Sequence, residues 1–288
     1  MGTFPARRFA VAILTVAATV SAAVVVAGAP AAAIPGIQLV QSGSPAGPEP
    51  TKVAVAPCPD GLVVIDGGGS ISGAPAGEVR LTGLRPLGGS FEATATTGTQ
   101  EYAGDWSLIA YAICAPRSYS ITIHSVTGPM SFQWWRGHTV DCPRGQRLIG
   151  AGAYLAGSDG APPAGVALQL ILPHSDLTHM NGSAYRVDDS YSGAWQLTVY
   201  ATCADPLPGL VRVMHSGGNG ASIATVACPR GTVLHGLGGA GNAAPGHLTL
   251  TQQAPIGNLS GALTTVAETG DGTPPAPWAP VSIAICAN

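Results

Sequence analysis

Residues 174 to 179 read His174-Ser175-Asp176-Leu177-Thr178-His179. Two imidazoles and a carboxylate so close together are the donor types that bind divalent transition ions. They follow Pro173, which predicts a loop where ligands can converge. His174, Asp176 and His179 are therefore a candidate metal-ligating set, although solvated loop side chains have the same composition. A second group is Phe132-Gln133-Trp134-Trp135-Arg136. On a strand, Trp134 and Trp135 face opposite ways, so one can be buried while the other stands in solvent. An exposed indole beside Arg136 could stack on a sugar ring or on a peptide aromatic, since exposed aromatic patches mark contact sites. Tyr185, Asp188, Asp189 and Tyr191 form a third candidate group, for a cation or a sugar. A glycosidase-type carboxylate pair is assembled in space rather than in sequence, and Asp66, Asp105, Asp188 and Asp189 are the loop-borne candidates for one. The chain has no G-x-S-x-G elbow, no H-E-x-x-H helix and no Gly-rich phosphate loop. No catalytic residue is assigned and no cofactor is predicted.

The elements that must position these groups repeat three times. The six cysteines, Cys58, Cys114, Cys142, Cys203, Cys228 and Cys286, are separated by 56, 28, 61, 25 and 58 residues. The first of each pair opens a Cys-Pro-x-Gly turn: Cys58-Pro59-Asp60-Gly61, Cys142-Pro143-Arg144-Gly145 and Cys228-Pro229-Arg230-Gly231. Proline second and glycine fourth suit a type I turn. The second cysteine is always followed by alanine, and a tryptophan stands eight residues before it, as Trp106, Trp195 and Trp278. The repeat predicts pairing within units: Cys58–Cys114, Cys142–Cys203 and Cys228–Cys286. Zinc favours closely spaced cysteine ligands, and that spacing is absent.

The remaining segments are short, β-branched and alternating, bounded by Gly, Pro, Ser or Asn, which is the pattern of strands. No sustained 3.6-residue apolar period occurs after residue 33. The prediction is an all-β fold of three tandem sheet units of about 85 residues: unit 1 (34–118), unit 2 (119–208) and unit 3 (209–288). Short connections at Pro116 to Tyr119 and Asp205 to Gly209 favour one pseudo-threefold body, such as a β-prism, over three tandem small β-domains. Features present in all three units belong to the fold, so the three tryptophans are read as core packing. Features in one unit only are freer to be functional, and most of the candidates above lie in unit 2.

Arg7 and Arg8 precede an apolar run from Phe9 to Ala29, then Pro30 and Ala31-Ala32-Ala33. This is the pattern of a secretory signal peptide over 1–33, and a membrane contact is expected only if that segment stays uncleaved. Its removal would leave 10 basic against 15 acidic residues. With one lysine, Lys52, and only 9% charged residues, the chain has no basic face for nucleic acid. The 40 glycines and 25 prolines have no collagen period and cluster at the repeated turns.

The Cys-Pro-x-Gly turn with the later Trp and Tyr-Ala-x-Cys-Ala strand resembles a motif of secreted actinobacterial proteins, mostly of unassigned function. The threefold plan is also similar to vitelline membrane outer layer protein I, whose three sheet units form a β-prism. The resemblance implies a fold and carries no functional residue. The sequence favours a secreted, disulfide-stapled, non-catalytic β-protein that acts by surface binding, with an extracellular or cell-wall glycan as partner. The alternatives are a secreted hydrolase with its site in the unit 2 loops, and a purely structural envelope protein.

Overall fold

The computed structural model describes residues 1–2, 34–98, 102–188, 190–243, 246–269 and 277–288. Nearly all of the predicted export segment, and Asp189, lie outside the described residues. Unit 1 supplies β1 (Gln38–Gly43), β2 (Thr51–Pro57), β3 (Leu62–Ser72), β4 (Val79–Pro86), β5 (Ser90–Thr97) and β6 (Ser107–Pro116). Unit 2 supplies β7 (Thr122–Thr127), β8 (Trp135–Asp141), β9 (Arg147–Gly157), β10 (Val166–Pro173), β11 (His179–Arg186) and β12 (Trp195–Ala204). Unit 3 supplies β13 (Val211–Ser216), β14 (Ile223–Ala227), β15 (Val233–Asn242), β16 (Leu248–Ile256), β17 (Gly261–Glu268) and β18 (Ala279–Ala287). No helix occurs among the described residues.

The strands form three six-stranded sheets, ordered β1-β6-β3-β16-β17-β14, β13-β18-β15-β10-β11-β8 and β2-β5-β4-β9-β12-β7. Every sheet therefore belongs to two units. Unit 1 joins unit 2 through Gly83↔Tyr154 and Leu84↔Ala153. Unit 2 joins unit 3 through Leu170↔Ala240 and Ile171↔Gly239. Unit 3 returns to unit 1 through Gln252↔Ser70 and Gln253↔Gly69. The glycines after each Cys-Pro-x-Gly turn make these close seams possible. A Cβ at Gly68 would collide with the Gln253 carbonyl oxygen, one at Gly152 would come 2.5 Å from the Leu84 oxygen, and one at Gly238 would come 2.8 Å from the Ile171 oxygen.

Three disulfides form within units, Cys58–Cys114, Cys142–Cys203 and Cys228–Cys286, with Cα–Cα distances of 5.7, 5.7 and 5.8 Å. Each staples the turn after one sheet's outer strand to an inner strand of another sheet. In the chain-entropy picture, closing loops of this length contributes roughly 4 kcal/mol each. Ala112, Ala201 and Ala284, two residues before the inner cysteines, are fully buried. Trp106 and Trp195 are buried in the core and Trp278 is packed against it, half-buried.

β3, β9 and β15 each carry one extra residue opposite the cysteine-bearing strand: Ile65, Ile149 and His235. The next residues are Asp66, Gly150 and Gly236. The Asp66 carboxylate is fully buried and accepts backbone N–H groups from all three units. Oδ2 takes the Leu237 N–H at 2.5 Å, Oδ1 takes the Ala151 N–H at 3.3 Å, and the Gly67 N–H also donates. Gly150 and Gly236 leave the space that Asp66 fills: a Cβ on either would press against the Asp66 side chain, at 2.8 and 3.0 Å. Burial, outweighing these three donors, holds the Asp66 carboxyl well above the usual carboxylate range. Asp66 is thus an internal bolt between units and not a loop carboxylate, which removes it from the hydrolase candidates.

Candidate functional site

The unit 2 aromatic segment lies where the chain enters β8, an edge strand of its sheet. β8 alternates, with Arg136, His138 and Val140 turned inward and Trp135, Gly137 and Thr139 outward. Phe132, Trp134 and Trp135 are 69%, 54% and 42% exposed. Both tryptophans stand in solvent, since Trp134 precedes the strand and escapes its alternation. Gly137 gives Trp135 room: a Cβ there would come 2.8 Å from the indole. Together Gln133, Trp134, Trp135, Arg136, Gly137 and His138 line an open cleft of about 370 Å³.

Arg136 is buried, which corrects the expectation of a guanidinium displayed beside the indoles. Its guanidinium carbon sits 5.6 Å from the Trp195 ring centroid, and it donates to the Ser131 hydroxyl. Lys52 occupies the matching place in unit 1, with its ammonium 5.2 Å from the Trp106 ring. Both are cation–π props under a core tryptophan. The two indoles are anchored alike, Trp106 Nε1–H donating to the Glu49 carbonyl at 3.0 Å and Trp195 Nε1–H to that of Gln133 at 2.9 Å. The Gln133 bond fixes the backbone that carries Trp134.

Tyr185 is also corrected. It is fully buried, and its hydroxyl donates to the Leu248 carbonyl of unit 3. Burial pushes its phenol above the ordinary range. It is a cross-unit core residue and leaves the ligand-binding set. Asp188 and Tyr191 are half-buried and close a turn on themselves: the Ser190 N–H donates to Asp188 Oδ1 at 2.8 Å and the Tyr191 N–H to the Asp188 carbonyl at 3.1 Å. Tyr191 packs against the core.

His174, Asp176 and His179 do converge. One ligand atom from each lies within 4.8 Å of the others. The Thr178 N–H, followed by His174 and the Thr178 hydroxyl, holds the Asp176 carboxyl below the usual carboxylate range. Sequence reasoning misses His138, which lines the aromatic cleft from the inward face of β8. Burial and the nearby Arg136 keep its imidazole below the ordinary histidine range, favouring the neutral ring. Its spacing of two residues from Arg136 along an edge strand was the available signal.

No family model and no curated protein matches this chain.

Proposed function

We propose that this is a secreted, non-catalytic protein that acts by surface contact, binding an extracellular or cell-wall glycan through the aromatic ridge of unit 2. The observation that carries this reading is the joint exposure of Phe132, Trp134 and Trp135 beside an open cleft. Large aromatics displayed together in water mark contact surfaces. Flat indole faces suit the apolar face of a sugar ring, and the polar groups of Gln133 and His138 stand in the same cleft. The matching positions of unit 3, Gly220 and Ala221, carry no ring. Three internal disulfides fit an oxidising, extracellular setting, as does the signal-like segment over 1–33.

A glycan-array screen of the mature protein beside a Trp134→Ala, Trp135→Ala double variant tests the reading. Binding by the wild type that is lost in the double variant supports it. Equal binding by both, or none by either, removes it.

A further inference from the structure

The geometry points to a divalent transition-ion site of the zinc type, formed by His174, Asp176 and His179 in the β10–β11 loop. It is separate from the aromatic ridge. The β8–β11 ladder pairs His179 with Asp141 at one end and Tyr185 with Trp135 at the other. Six residues of strand place the two sites about 20 Å apart.

The loop backbone is held before any ligand arrives. The His174 N–H donates to the His179 carbonyl at 2.9 Å, and the Leu177 N–H to the His174 carbonyl at 3.0 Å. Leu177 turns the chain with a φ of 54° while its side chain is buried in the core. Its carbonyl accepts the Leu148 N–H at 2.7 Å, and the Thr178 carbonyl accepts the N–H of the disulfide-bonded Cys142 at 2.8 Å. Thr178 then aims the carboxylate: its N–H and hydroxyl donate to Asp176 Oδ1 at 2.9 and 2.7 Å. Metal-ligating carboxylates are oriented by such outer partners.

The two imidazoles stack with centroids 4.1 Å apart and planes 22° apart, and both present Nδ1 toward Asp176 Oδ1, at 2.9 Å for His174 and 3.9 Å for His179. The His174 Nδ1 atom is shielded from water and has no well-directed hydrogen bond in spite of that short distance. One carboxylate oxygen thus faces two ring nitrogens and already accepts the two Thr178 donors, and the Thr178 hydroxyl also lies 3.1 Å from His179 Nδ1, a contact that a bound cation would replace. A cation seated among them would take both lone pairs and meet the negative charge. Bonds of about 2.0–2.2 Å to nitrogen and oxygen require ligand atoms about 3.3 Å apart. The present Asp176–imidazole separations of 2.9 and 3.9 Å lie on either side of that value, and the three ligand atoms lie within 4.8 Å of one another. Side-chain exposures of 44% for His174 and 52% for Asp176 leave the remaining coordination positions open to water.

The turn does not need these side chains. The β16–β17 loop of unit 3 is built on the same clamp, with Leu259 at a φ of 59° and the Leu234 N–H donating to its carbonyl at 2.8 Å. It carries Ile256, Asn258 and Gly261 where unit 2 carries His174, Asp176 and His179. The fold therefore leaves the donor set of unit 2 unexplained, and the chemistry of that set is metal ligation.

Titrate the full, disulfide-bonded, metal-free protein with Zn²⁺ by calorimetry and with Co²⁺ by visible absorption. The expected result is one saturable ion per chain and a cobalt spectrum with nitrogen and oxygen ligands. His179→Gln should weaken binding at least tenfold. The unit 3 graft His174→Ile, Asp176→Asn, His179→Gly should abolish it without changing the metal-free Tm. Wild-type binding no tighter than roughly 1 mM overturns the site, as does binding unchanged in His179→Gln or in the graft. If the graft does not fold, His174→Gln and His179→Gln decide alone. Glycan-array binding does not enter the readout, so the two proposals fail separately.

Discussion

Leu177 in unit 2 and Leu259 in unit 3 turn the chain with nearly the same left-handed φ, bury the same side chain and accept the same backbone N–H. Around them one loop holds two histidines and an aspartate, and the other holds isoleucine, asparagine and glycine. The edge strands repeat the lesson. Arg136 and Lys52 are matched props under Trp195 and Trp106, while Trp135 matches Thr51 and Ala221. Buried positions that serve the fold recur, whereas the side chains proposed to bind ligands sit at positions that the fold leaves free. Asp66 is an interior exception, where a single carboxylate does work that three identical residues could not, because two of them would collide with it.

Removing the shared clamp should have the largest effect. Leu177→Ala and Leu259→Ala should each cost roughly 3 kcal/mol in urea unfolding, within about 1 kcal/mol of one another. A large loss in one and none in the other would mean that the loops are not equivalent. Asp66→Gly, which gives all three units the same residue, should still cost roughly 2 kcal/mol, because the Ala151 and Leu237 N–H groups lose their acceptor. Since the folded Asp66 pKa is raised, its contribution is complete at low pH. It falls as pH rises above the usual 3.8, where the unfolded chain ionises first. The gap between wild type and variant should therefore narrow with rising pH.

His235 offers a smaller effect of opposite sign. It stands where units 1 and 2 have Ile65 and Ile149, and burial keeps its ring neutral. The unfolded chain takes up a proton near pH 6.5 that the folded core resists. Stability from this group is present above that pH and lost as pH falls. His235→Ile should remove about 1 kcal/mol of acid-side loss, read by urea unfolding at pH 5 and pH 8. An unchanged pH profile would contradict it. Trp135→Ala should move stability by less than about 0.5 kcal/mol, as expected of an exposed side chain. A larger drop would make Trp135 a packing residue.

Much of the fold was legible because cysteine, tryptophan and Pro-Gly turns recur at fixed offsets, and alternation marks strands directly. The sharing of each sheet between two units was not legible. It depends on backbone approach at Gly68, Gly152 and Gly238, which in sequence are ordinary strand glycines. The ligand-type loop could be read because its residues are adjacent. Tyr185 could not, since its partner is a unit 3 carbonyl 63 residues away. Arg136 was misplaced because a cation next to two tryptophans looks displayed, whereas strand alternation turns it onto a third.

The most direct test of the claim that unit 2 side chains carry recognition uses the five indole N–H groups as reporters. The ¹⁵N-labelled protein is titrated with a glycan selected on the array and followed by NMR. The Trp134 and Trp135 indole signals should shift, while those of Trp106 and Trp278 stay in place. Shifts at Trp106 or Trp278 with Trp134 and Trp135 unmoved would contradict it.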